Sequence, residues 1–168
     1  MKRSARLKRN KKVHTFDSCK SAGIIFDANS YEDFLLVKEF MKDLSNKKIQ
    51  SDLFGFKNER EIPSNLLMWD NCHFICKKDL DIFYRPKAEL TNKFLSKKFD
   101  ILFDLTLKDI FTLRYITTLS NADFKIGRFS EGINDLDMMI DIKKEPLNYL
   151  IEQIKVYVEM LNNSNSNT

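Results

Sequence analysis

The sequence predicts a single α/β domain of the Rossmann-like kind. Its three layers have a mostly parallel sheet in the middle, with a basic N-terminal tail before the domain and a disordered C-terminal tail after it. Three observations predict this. Short apolar runs ending in an acid, residues 22–27 and 99–104, read as strands buried on both faces. Between such runs, apolar residues recur at helical spacing. A chain of 168 residues with 43% apolar content suits one core. Strands alternating with amphipathic helices give a sheet covered on both sides, joined by right-handed crossovers.

Residues 22–27 form the first strand. Ser30, Tyr31, Glu32 and Asp33 resemble a capping box, and Phe34, Val37, Phe40, Met41 and Leu44 follow at helical spacing. The helix stops near Ser45 and Asn46, and a second strand falls within residues 49–56. Pro63 breaks the chain, a helical turn begins at Ser64, and residues 73–76 read as a short strand. Residues 79–86 read as a loop with exposed aromatics, Phe83 and Tyr84, before a helix over 87–96.

After the strand at 99–104 comes a helix over 108–119, with Ile110, Leu113, Ile116 and Leu119 on one stripe. Strands at 124–127 and 138–142 follow. Pro146 suits the first turn of a last helix, whose apolar face is Leu147, Leu150, Ile151, Ile154, Val158 and Leu161. Residues 162–168 contain only Asn, Ser and Thr and are expected to be disordered. The predicted organisation is a basic tail at 1–14, a Rossmann-like domain at 15–161 and a disordered tail at 162–168.

Composition narrows the class. Four glycines and three prolines are few for an all-β protein with many tight turns. No apolar run approaches the roughly 20 residues needed to cross a bilayer. No apolar stretch follows the basic start, so no secretory signal is expected. Cys19, Cys72 and Cys76 lack a framework spacing, as for reduced thiols of a cytosol. The expected setting is cytoplasmic, without membrane insertion.

The formal charge of +4 hides an asymmetry. Lys2, Arg3, Arg6, Lys8, Arg9, Lys11 and Lys12 place seven cations in the first twelve residues, with no acid among them. Setting these aside leaves 21 basic residues against 24 acidic ones, so the body is mildly acidic. An isolated block of cations attracts a polyanion. With no aromatic residue before Phe16, it offers neutralisation of phosphates rather than base stacking. Ala5, Leu7 and Val13 give too little apolar area for an inserted membrane face.

Two sets of residues bear on chemistry. The acids at strand ends, Asp27, Asp104 and Asp141, with Asp109 a turn further on, either bind local backbone and helix ends or gather to hold Mg²⁺, a metal that takes oxygen ligands. The segment 25–29 looks loosely like the first strand of PIN-like nucleases. Against a nucleotide, the turns at 27–30 and 104–107 contain no glycine, although a Rossmann turn needs several to bring backbone close to pyrophosphate.

Cys72, His73 and Cys76 tempt a zinc reading. On a strand the two thiols lie roughly 13 Å apart, too far to share one ion at about 2.3 Å each. They read instead as buried structural thiols.

At residues 21–28 and again at 99–105 the chain resembles a family of unknown function from Bacteroidota, a likeness running from about Lys11 to Val158. It implies fold and cellular setting only. Residues 99–127 look like part of the N-terminal half of heptosyltransferase-type glycosyltransferases. That likeness lies in the Asp104 strand end, the helix end at 119–122 and the strand at 125–127, and it implies common architecture.

These readings favour a non-catalytic, RNA-associated protein, bound to the ribosome or its precursors. Its leader cations would neutralise phosphates, and it would carry no cofactor. The alternatives are a Mg²⁺-dependent nuclease or phosphotransferase using Asp27, Asp104, Asp109 and Asp141, and a half-glycosyltransferase that binds a sugar nucleotide. The sequence leaves oligomeric state open.

Overall fold

The structure, a computed structural model, describes residues 9–132 and 134–165. The elements run β1 (Ser21–Asp27), α1 (Tyr31–Asn46), β2 (Gln50–Lys57), β3 (Cys72–Cys76), a 3₁₀ turn (Lys77–Asp79), α2 (Ala88–Leu95), β4 (Ile101–Asp104), α3 (Phe111–Leu119), β5 (Phe124–Arg128), β6 (Met138–Ile140) and α4 (Leu147–Asn165). All six strands are parallel and lie in the order β3-β2-β1-β4-β5-β6. This is the doubly wound order of dinucleotide-binding folds, with its switch point between β1 and β4.

The strands read as unbroken apolar runs because both faces are covered. Along β1, Ile24 and Phe26 point into a core shared with Phe34, Val37 and Phe40 of α1 and with Leu150, Ile154 and Val158 of α4. Ile25 points the other way, into a core with Phe94 of α2 and Leu113 and Ile116 of α3.

Two glycines admit rings between layers. A Cβ on Gly23 would lie 2.7 Å from the Phe99 ring, and one on Gly55 would lie 2.7 Å from the ring of Phe26. Lys125 of β5 is 1% exposed. Its Nζ donates to the Thr117 (2.6 Å) and Thr118 (3.3 Å) carbonyls, satisfying acceptors that the end of α3 leaves open.

Several expectations change at their edges. The helix expected from residue 108 begins at Phe111, because Asp109 turns to pair with Arg114. The helical turn expected at Ser64 is present as a turn between β2 and β3, with Leu67 N–H bonding the Ser64 carbonyl at 3.1 Å. Successive turns carry Leu66 into the core and set Trp69 edge-on to Phe34, with Lys38 Nζ 4.0 Å from the indole centroid.

Residues 9–14 and 162–165, within the segments expected as tails, belong to the folded part. Residues 162–165 continue α4, since lengthening an existing helix avoids the cost of nucleating one; Ser164 Oγ also bonds the Met160 carbonyl. Residues 9–14 pack against the domain, and residues 166–168 lie outside the described part. No described helix is long and apolar enough to cross a membrane.

Candidate functional site

The strand-end aspartates Asp27, Asp104 and Asp141, and Asp109 before α3, are each taken up locally. Asp27 Oδ1 accepts from the Asn29 backbone N–H and side-chain amide at 3.1 and 2.5 Å. Asp104 is buried, with Oδ1 accepting from Thr106 N–H and hydroxyl at 3.1 and 2.6 Å, and Oδ2 from Thr117 Oγ1 at 2.8 Å. Burial pushes its carboxyl above the ordinary range, and the threonine bonds oppose this. Asp109 pairs with Arg114, and Asp141 Oδ1 accepts from Lys143 N–H.

A shared Mg²⁺ would need such carboxylates to converge. Among the described residues, the one group of three His, Cys, Asp or Glu ligand atoms within 4.8 Å of one another is His14, Asp100 and Asp123, at the opposite edge of the sheet. No three of Asp27, Asp104, Asp109 and Asp141 form such a group.

The switch point is also furnished against phosphate. In dinucleotide-binding folds the start of the first helix presents free N–H groups to pyrophosphate. Here Ser30 Oγ accepts the Asp33 N–H at 3.2 Å, and Asp27, Glu32 and Asp33 surround that end with negative charge. Burial, then Asp27 and Glu32, pushes Asp33 above the usual carboxylate range, as expected where acids crowd.

Beside the switch point a cleft of about 620 Å³ opens between the β1 end, the loop at 79–86 and the start of α3. Asp27 and Asp109 both line it; Asp104 does not, and faces a separate recess of about 50 Å³ that Asp109 also lines. The loop at 79–86 is a finger. Leu80 and Pro86 bridge its base, and Asp81 Oδ1 accepts from the Phe83 and Arg85 N–H groups at 2.8 and 3.0 Å. Arg85 grips Asp81 Oδ2 through Nε at 2.9 Å and a terminal nitrogen at 2.8 Å. The finger presents Ile82, Phe83 and Tyr84 at 87%, 61% and 68% exposure. Tyr84 sits at φ 59°, a left-handed conformation rare for an aromatic residue, and its carbonyl accepts from Thr112 Oγ1 at 3.0 Å.

The opposite edge holds the leader. Arg9 makes two 2.7 Å bonds to the Asp137 carboxylate and donates to the Ala122 and Asp123 carbonyls at 3.0 Å. Lys11 lies 3.1 Å from Asp137, and Lys12 N–H bonds the Asp123 carbonyl. His14 is buried, with Nε2 3.0 Å from Asp123 and 3.8 Å from Asp100. Asp100 then accepts from the Lys20 and Ser21 N–H groups, where β1 begins.

Asp100, Asp123 and Asp137 are the residues directly before β4, β5 and β6. The leader thus straps the starts of the strands in sequence. Burial alone would raise Asp123 and Asp137, but His14 and Lys98 at the first, and Arg9, Lys125 N–H and Lys11 at the second, outweigh it and hold both below the ordinary range. Lys98 lies 3.3 Å from Asp123 and brings a cation to the His14 trio.

The sequence signal for the strap is an aspartate immediately before each of three strands, Asp100, Asp123 and Asp137. Of the leader cations, Arg9 and Lys11 are committed to Asp137 and Lys12 is exposed. Lys2, Arg3, Arg6 and Lys8 lie outside the described residues.

The three cysteines are free thiols; Cys19 and Cys76 are buried and Cys72 is half-buried. Burial pushes the Cys19 thiol up to about 12, away from reactivity. A further groove of about 640 Å³ runs between α1 and α4, walled by Phe16, Phe40, Leu44, Val156 and Met160.

Fold and edges together define a six-stranded, all-parallel doubly wound α/β protein whose switch point lacks a phosphate cradle. The chain belongs to a family of unknown function (DUF6913), whose model matches residues 1–161. No curated protein and no solved structure matches it.

Proposed function

We propose that this protein is a non-catalytic, RNA-associated component of the cytoplasm, bound to the ribosome or its precursors through its basic leader. The observation carrying this reading is the leader itself: seven cations without an acid, of which Arg9 and Lys11, together with His14, anchor it to the domain. Lys2, Arg3, Arg6 and Lys8 precede that anchor in the chain, and the clamp on Asp137 ties them by a short tether to the domain. Separate engagement of Asp27, Asp104, Asp109 and Asp141, and the acidic furnishing of the α1 start, support a role without phosphoryl or nucleotide chemistry.

The likeness of residues 99–127 to heptosyltransferase-type enzymes, and the Bacteroidota setting, fit a shared architecture. Those enzymes bind their sugar nucleotide with a second Rossmann-like domain, so the likeness does not extend the reading to transfer.

Sucrose-gradient sedimentation of native lysate tests the proposal. At low salt the protein should migrate with ribosomal particles, and high salt or RNase should release it. Recovery only at the top of the low-salt gradient would overturn the proposal.

A further inference from the structure

Two matching devices flank the cleft at the switch point. On the finger, Arg85 pairs with Asp81 and lies 5.0 Å from the Phe83 ring centroid. At the start of α3, Arg114 pairs with Asp109 and lies 5.8 Å from the Phe111 ring centroid. Tyr84 and Phe111 line the same cleft, together with Lys77 and Lys108. Of the three carboxylates lining the cleft, Asp81 and Asp109 are matched in charge by their arginines, while Asp27 keeps its charge beside the neutral Asn29 amide. Lys77 and Lys108 have no ion pair among the described residues, so at this rim two lysines stand against the single carboxylate of Asp27 and the balance is positive.

An apolar tip pointing into water normally collapses. Here the Asp81 clamp fixes its backbone and the left-handed Tyr84 turns its ring outward, an arrangement that costs free energy and calls for a function. Rigid aromatic faces interleaved with arginine and lysine, beside a cleft large enough for a nucleotide, match single-stranded nucleic acid. Bases stack on such rings, and cations follow the phosphates.

We propose that the finger and the start of α3 form a stacking platform for single-stranded RNA, with Phe83, Tyr84 and Phe111 receiving bases and Lys77 and Lys108 facing phosphates. This rests on the RNA reading above and supplies the body's own contact face, at the edge opposite the leader strap.

The test is fluorescence anisotropy of a labelled 30-residue oligouridylate, long enough to reach both edges, against the full chain. The variants are Phe83→Ala, Tyr84→Asn, Phe111→Ala and a leader variant with Lys2, Arg3, Arg6 and Lys8 changed to Gln. Asparagine tolerates the left-handed backbone at position 84, and Phe83 is largely exposed, so folding survives; circular dichroism checks it. Each lost ring should weaken binding about tenfold without changing the salt slope, whereas the leader variant should flatten that slope.

Ring variants that bind like the parent, while the leader variant weakens, would overturn the platform and leave the RNA reading standing. A parent that neither binds the oligonucleotide nor sediments with ribosomal particles would overturn both. Ring variants that keep oligonucleotide affinity but lose particle association would assign the finger to a protein contact, against this proposal.

Discussion

Arg9 holds Asp137 through two parallel bonds of 2.7 Å, joining a residue near the chain start to the loop before the last strand. Side-chain exposures of 9% and 12% place the pair out of bulk water, where a two-pronged guanidinium–carboxylate contact is worth more than a surface ion pair. Arg9→Ala should therefore cost about 2 kcal/mol in urea denaturation, and Arg9→Lys should recover little, since an ammonium cannot bind both oxygens in register. A loss below about 0.5 kcal/mol would show that the strap is not clamped there.

The strap should open in acid. Asp123 and Asp137 titrate below their unfolded values, so the stability they contribute is present above the ordinary carboxylate range and is lost as pH falls through their lower folded values. Hydrogen exchange at residues 9–20 should rise below about pH 4 before the strand amides exchange. Exchange that rises together in both would contradict a separately clamped strap.

Lys125 carries a dependence of the same sign in an alkaline window. Burial, then Arg9, lowers its ammonium to about 8 from 10.5, so charging it in the fold is costly. Between these values the unfolded chain holds a proton that the native chain lacks, and stability rises with pH across that window. Relative to Lys125→Met, the parent should gain stability from pH 8 to pH 10; parallel curves would contradict this.

Asp104 offers a test of the site reading. Its neighbours are hydroxyls and an N–H, all satisfied by an amide of the same shape, and burial disfavours its charge. Asp104→Asn should leave stability at pH 7 within about 1 kcal/mol of the parent, or raise it, and leave RNA binding unchanged. Loss of RNA binding with the fold intact would return this carboxylate to the functional site.

Gly23→Ala should destabilise by about 1–3 kcal/mol, because the new methyl meets the Phe99 ring and Leu102 in a filled core. Thermal unfolding reads this directly, and a neutral result would mean that the Phe99 ring yields.

The sheet was legible because its strands are covered on both faces and therefore appear as bare apolar runs; residues 22–27 and 101–104 could hardly be anything else. Strand order was not legible, since hydrophobicity is the same whichever neighbour a buried strand pairs with. The exposed aromatics Phe83 and Tyr84 were visible in the sequence. Their placement beside one cleft needed the Asp81–Arg85 clamp and Phe111 of a distant helix, neither of which the sequence shows.

The strap was the largest gap. Charge counting separated a basic leader from an acidic body, but three of the body's acids sit where Arg9, Lys11 and His14 reach them. Charges that cancel in space look segregated along a chain.

The central claim is that the leader's remaining cations meet RNA phosphates. The most direct measurement is the slope of log affinity against log salt for single-stranded RNA. With Arg9 and Lys11 already paired to Asp137, five of the seven cations remain, and they should contribute about −3.5 to the slope. Changing Lys2, Arg3, Arg6, Lys8 and Lys12 to Gln should remove that share and leave only about −1.4 from Lys77 and Lys108. A parent affinity indifferent to salt, or a slope unchanged in that variant, would contradict the account.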